Sequence, residues 1–181
     1  MRTLLGIAFV LIVAAGCGGA GPYGHSPQYA PLAEEEKAAA GARDYDPVMF
    51  QRIPEEWHKK ATSLFGVVTS RAPGPSGGAY VTLSVRRLEP RNLCDNMHDD
   101  DSCRVTVSDK DFGVVHAVLG LRGEDDVGAS SVGPGSLVRA IGIFGQDVDA
   151  ADGAPVLRAT YYRHWPRGSY VTRAAARDMR Q

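Results

Sequence analysis

Apolar residues in the second two-thirds of this chain recur at alternate positions, and turn-forming residues break them into short runs. Tyr80 to Leu88 alternates, with Val81, Leu83 and Val85 on one side and Thr82, Ser84 and Arg86 on the other, as in a strand buried on one face. The phase slips at Arg87-Leu88, which predicts a bulge or a strong bend. Leu64 to Ser70 reads as an earlier strand, ended by Pro73-Gly74-Pro75-Ser76-Gly77-Gly78. Arg104 to Val107 offers Val105 and Val107 inward. Phe112 to Leu121 is apolar on both faces, as a strand covered on two sides would be. Leu137 to Phe144 and Pro155 to Trp165 are the last two strands. Strict alternation through the final one places Leu157, Ala159 and Tyr161 inside, with Arg158, Thr160 and Tyr162 outside. Residues 122–136, with Gly123, Gly128, Gly133, Pro134 and Gly135, form a long turn-rich connection.

Ahead of these strands, Pro54-Glu55-Glu56-Trp57-His58-Lys59-Lys60-Ala61 has Pro at a first helical position, acids in the first turn and Lys at the end. That order predicts a short helix whose Trp57 packs on the strands C-terminal to it, with His58 exposed. Five or six short strands in about 110 residues predict an all-β domain, a small closed barrel or a sandwich. The long interruption before the two final strands resembles the OB-fold. Gly66-Val67-Val68, Tyr80 to Leu88, Gly135 to Gly142 and Ala154 to Ala159 carry that likeness, which spans about residues 62–168. The resemblance implies a small OB-like Greek-key barrel of five to six strands. Residues 122–136 depart from it, being too rich in Gly for the usual intervening helix.

The first seventeen residues have a different pattern. Arg2 supplies a positive start and Leu4 to Ala15 an apolar run, shorter than the roughly 20 residues a spanning helix needs. The run stops at Gly16-Cys17, and Gly18, Gly19 and Gly21 come directly after it. Ala14-Ala15-Gly16-Cys17 resembles the lipobox of bacterial lipoprotein signal peptides, although Ala14 stands where Leu is commonest. The resemblance implies removal of residues 1–16, acylation of Cys17 and a lipid anchor in the cell envelope. Gly18, where Asp often marks inner-membrane retention, implies the outer membrane, facing the periplasm. Two or three chains at ~0.8 kcal/mol per buried CH₂ would anchor the protein stably.

Residues 17–45 are rich in Gly, Ala and Pro and read as a flexible, disordered tether. Within it, Leu32 to Ala40 holds helix formers that would form at most a transient helix. The expected organisation is therefore a signal peptide (1–16), a tether (17–45), a short helical lead-in (46–61), the barrel (62–172) and a C-terminal tail (173–181).

Composition narrows the function classes. The 181 residues carry 20 Lys+Arg and 21 Asp+Glu, a formal net charge of −1, and 44% are hydrophobic. Neither a polybasic nucleic-acid binder nor a wholly disordered chain has that balance. Cys94 and Cys103 bracket a polar loop, and in an exported chain such a pair reads as a disulfide. Zinc on Cys94, His98 and Cys103 is the competing reading, but the spacing fits no common motif and a fourth ligand is missing. Asp147 to Gly153 imitates a calcium loop, yet its third acid is one position late and Arg158 stands where the bidentate Glu belongs. A solvated hairpin loop fits better, so no metal is expected.

Hydrolytic and phosphate-binding motifs are missing from the sequence, no catalytic residue or cofactor is assigned, and His116 reads as a satisfied core imidazole. What remains is a candidate binding face of Arg86, Arg139, Arg158, Tyr162 and His164 on neighbouring strands. Basic and aromatic groups together suit an envelope protein or a glycan. The expected protein is a lipid-anchored, non-catalytic binding or structural module, with membrane lipid as one partner and no nucleic acid. The competing expectation is a cell-wall glycan-processing enzyme or its accessory subunit.

Overall fold

A computed structural model describes residues 28–179. The signal segment and Cys17, on which the lipid anchor depends, lie outside the described residues. The strands are β1 (Arg43–Asp44), β2 (Thr62–Pro73), β3 (Ala79–Arg86), β4 (Leu93–Cys94), β5 (Cys103–Val107), β6 (Val114–Leu119), β7 (Leu137–Val148), β8 (Pro155–Trp165) and β9 (Tyr170–Thr172). Three short helices precede β2: α1 (Ala33–Ala39), α2 (Pro47–Arg52) and α3 (Pro54–Trp57). The protein is mainly β.

β2 pairs antiparallel with both β3 and β7, and this double pairing closes a ring in the order β2, β3, β6, β8, β7. Within the ring β6 and β8 run parallel. Its interior is filled by alternate residues of each strand, among them Leu64, Val68, Val81, Leu83, Val115, Ala117, Leu119, Val138 and Leu157. Val81, Leu83 and Val85 point inward as their spacing predicted. An aromatic group from the lead-in segment closes one end: Phe50 and Tyr45 lie against Phe144, with Phe50 and Phe144 ring centres 4.8 Å apart, and Trp57 packs on Tyr45 and Phe50. α2 begins at Pro47 because the Asp46 carboxylate accepts the Val48 and Met49 N–H groups.

β2 is buried on both faces. Leu64 and Val68 enter the ring, while Phe65 and Val67 face a second core made with Val105, Val107, Leu137 and Trp165. That core joins the ring to the excursion between β3 and β6, whose β4 and β5 make a small sheet with the C-terminal β9. The slip at Arg87-Leu88 is the place where the chain leaves the ring: β3 ends at Arg86, and Leu88 bridges to Val107. Cys94 and Cys103 face each other across β4 and β5 and are joined by a disulfide.

Two expectations need correction. Residues 28–45 are folded against the ring rather than extended as a tether. α1 is held by Glu35, which is fully buried, and β1 adds to the edge of β2. The sequence offered only helix formers there, because the two arginines that hold Glu35, Arg139 and Arg163, lie more than a hundred residues away. The alternation of β8 also breaks. Ile141 faces Tyr161 while the next residue, Gly142, faces Ala159, so Thr160 is an extra residue in a bulge. Leu157 and Ala159 point inward before it, and Tyr162 points inward after it. Tyr161 is left on the outer side, with Arg163 and Trp165. Gly142 makes this possible: a Cβ there would stand 2.1 Å from the Arg158 carbonyl oxygen.

Candidate functional site

The five residues of the expected binding face do not form one surface. Arg158 is exposed and reaches across to Asp147 at 2.7 Å. Tyr162 and His164 both turn to Asp125 in the 120–136 connection. The Tyr162 hydroxyl donates to Oδ2 at 2.9 Å, and His164 Nδ1 lies 2.8 Å from Oδ1. Burial, with help from Asp125, pushes the Tyr162 phenol up to about 12, so it stays a donor at neutral pH. Arg71 holds the same connection through the Asp126 carboxylate and the Val132 carbonyl. These groups pin a loop.

Arg86 and Arg139 do share a surface. Both line an open cleft of about 650 Å³ between the first strands of the ring and the segment around Tyr29 and Tyr45. Its walls come from Ser63–Phe65 of β2, from Val85 to Leu88, and from Pro31, Asp44 and Phe112. The folded N-terminal segment thus supplies one side.

Arg139 is largely committed to that segment. Its Nη1 donates to Glu35 Oε1 at 2.5 Å and its Nε to Ser63 Oγ at 3.1 Å. Arg163 Nη1 takes the other carboxylate oxygen at 2.9 Å, and the Tyr29 hydroxyl also donates to Glu35. Glu35 further accepts the N–H of Leu32 at 3.0 Å, which fixes the start of α1. Burial alone would raise the Glu35 pKa, but the hydrogen bonds from Tyr29, Arg139 and Arg163 outweigh it and hold the carboxyl below its ordinary value. A buried carboxylate between two guanidinium groups is a satisfied ionic cluster, not an acid poised for catalysis.

The cationic groups left for a ligand are Arg86 and Arg87. Arg86 donates to the Asp109 carbonyl, while its Nε is buried with no hydrogen-bond partner among the described residues. The Arg87 guanidinium lies 4.3 Å above the Phe112 ring. The cleft therefore combines an apolar floor, Arg86, an Arg87 guanidinium on an aromatic face, and Asp44 on the side of the N-terminal segment. Its lining contains no His or Cys. Its hydroxyl at Ser63 is hydrogen-bonded to an arginine rather than to a base. Sequence reasoning reached Arg86 but missed Arg87, Phe112, Tyr29 and Glu35, because no local pattern marks residues that meet only through the fold.

No protein-family model matches this chain, and no curated protein matches it.

Proposed function

We propose that this protein is a lipid-anchored envelope protein whose OB-like Greek-key barrel is a non-catalytic binding module, with its ligand seated in the cleft beside Arg86 and Arg87. The observation that carries the reading is the cleft itself: room for a ligand, an apolar floor and an exposed Arg87 over Phe112 that can meet an acidic or hydroxyl-rich partner. The OB-like reading draws support from a five-strand ring in which β6 and β8 run parallel and a long connection precedes β7. OB-folds bind oligosaccharides and oligonucleotides on the face of their second and third strands and on adjoining loops, and of these the cleft here uses the end of β3 at Val85 and Arg86. The envelope address rests on Ala14-Ala15-Gly16-Cys17.

Two experiments test this reading. Metabolic labelling with palmitate marks the native protein and misses Cys17→Ser; equal labelling of both ends the lipoprotein proposal. Incubation with purified peptidoglycan separates binding from catalysis. Retention that falls with Arg87→Ala, without bond cleavage, supports a glycan-binding module. Released fragments point instead to a cell-wall glycan-processing enzyme.

A further inference from the structure

On the outer side of the ring, His116 of β6 and two aspartates of the β7–β8 loop come together, and neither stretch of sequence announces the other. His116 is nine-tenths buried although it faces outward between the inward residues Val115 and Ala117. The Tyr80 ring stacks on its imidazole, with centres 5.2 Å apart and planes 13° off parallel. Its Nδ1 sits 3.2 Å from Thr82 Oγ1, a hydroxyl that can serve either tautomer. Its Nε2 points at the loop, 3.0 Å from Asp152 Oδ2 and 4.0 Å from Asp149 Oδ2.

Both carboxylates are held in place from behind. Asp149 accepts the Ala151 N–H and the Tyr80 hydroxyl, each at 2.8 Å, and Asp152 accepts the Ala154 N–H at 2.9 Å. One donor atom from each of the three residues lies within 4.8 Å of the others. Tetrahedral zinc with bonds of about 2.0–2.2 Å requires donors about 3.3–3.5 Å apart, so closure needs shifts of only about an ångström.

We propose that His116, Asp149 and Asp152 form a binding site for a divalent transition metal of the zinc class. An imidazole with two carboxylates suits zinc or its neighbours better than calcium, which takes oxygen ligands. The metal takes the lone pair of His116 Nε2, and any proton held there is released to solvent. The neutral imidazole then carries its proton at Nδ1 and donates a hydrogen bond to Thr82 Oγ1, the outer contact that metal-bound histidines usually make. Three protein ligands leave a fourth position for water or for a partner's donor. The calcium motif fails along the loop, and His116 supplies the donor that the loop lacks. The site lies apart from the cleft and does not depend on the function proposed for it.

Titration of the full-length, metal-free protein with Zn²⁺ in a calorimeter tests the site, with Ca²⁺ as the contrast. The expected result is one zinc per chain at the site and weaker calcium binding. Asp149→Asn and Asp152→Asn preserve an oxygen for the turn's backbone hydrogen bonds. Each should weaken zinc binding at least about tenfold, and His116→Ala should remove it. A zinc-dependent rise in melting temperature should disappear in the same variants. No zinc uptake by the wild type, or unchanged affinity in both Asn variants, overturns the proposal.

Discussion

Two segments are held against the same ring of strands by different means, although Tyr29 of the first also packs on Phe65 and Trp165. Residues 28–45 are clamped by one buried carboxylate shared between Arg139, Arg163 and Tyr29. The excursion between β3 and β6 is held by an apolar cluster around Phe65, Leu137 and Trp165, and its hairpin is closed by the Cys94–Cys103 disulfide. The ionic clamp demands particular partners, and the loss of one strands the charges of the others. The apolar attachment tolerates small changes but gives little specificity. The segment that forms one wall of the cleft is thus fixed mainly by an interaction that demands one geometry.

The largest effect is expected at the clamp. Glu35→Ala leaves two guanidinium groups without their buried counter-charge and should lower stability by about 3–5 kcal/mol in chemical unfolding. An effect below about 1 kcal/mol would mean that the clamp matters little. Next comes Tyr162, whose ring packs on the core and whose hydroxyl holds Asp125. Tyr162→Ala should cost about 2–4 kcal/mol and Tyr161→Ala clearly less, because the Thr160 bulge puts only the former inside. Thermal melts giving the reverse order would restore an unbroken alternation through β8. Opening the disulfide in Cys94→Ser/Cys103→Ser should cost about 2–3 kcal/mol, since it closes a short loop, and should leave α1 in place. The smallest effect belongs to neither attachment. Arg158→Ala removes an exposed ion pair and should change stability by about 0.5 kcal/mol or less.

The two attachments should also separate by condition. Folding lowers the Glu35 pKa, so the stability it gives is present above the ordinary carboxyl value of 4.5 and is lost as pH falls through the lower folded value. Reductant at neutral pH should act on the hairpin alone. At the alkaline side the phenols of Tyr45, Tyr80 and Tyr162, each pushed up to about 12 by burial and neighbouring carboxylates, favour the folded state below their ordinary value of 10.0. That contribution fades as pH rises through 12.

Alternation made β3 and the inward half of β8 legible in the sequence, and an even pair of cysteines bracketing a short polar loop made the Cys94–Cys103 disulfide legible. Trp57 was placed correctly because a Pro start and an acidic first turn defined its helix. The inverted end of β8 was not legible, since a bulge shows only in the pairing with Gly142. Glu35 was missed for a related reason, and although His116 is buried and hydrogen-bonded as expected, its loop partners were hidden in the same way: each draws its meaning from residues distant in sequence. An acid in a helix-forming run and a histidine in an apolar strand look the same with or without them.

The N-terminal segment as a fixed wall of the cleft is the claim on which the binding proposal rests, and residue-resolved amide hydrogen exchange tests it most directly. At neutral pH the wild type should protect the α1 amides, such as Glu36 N–H bonded to the Leu32 carbonyl, and Glu35→Gln should strip that protection while the β4–β5 hairpin keeps its own. Exchange of the α1 amides at the rate of an unstructured chain in the wild type would contradict the account and return residues 28–45 to the role of a tether.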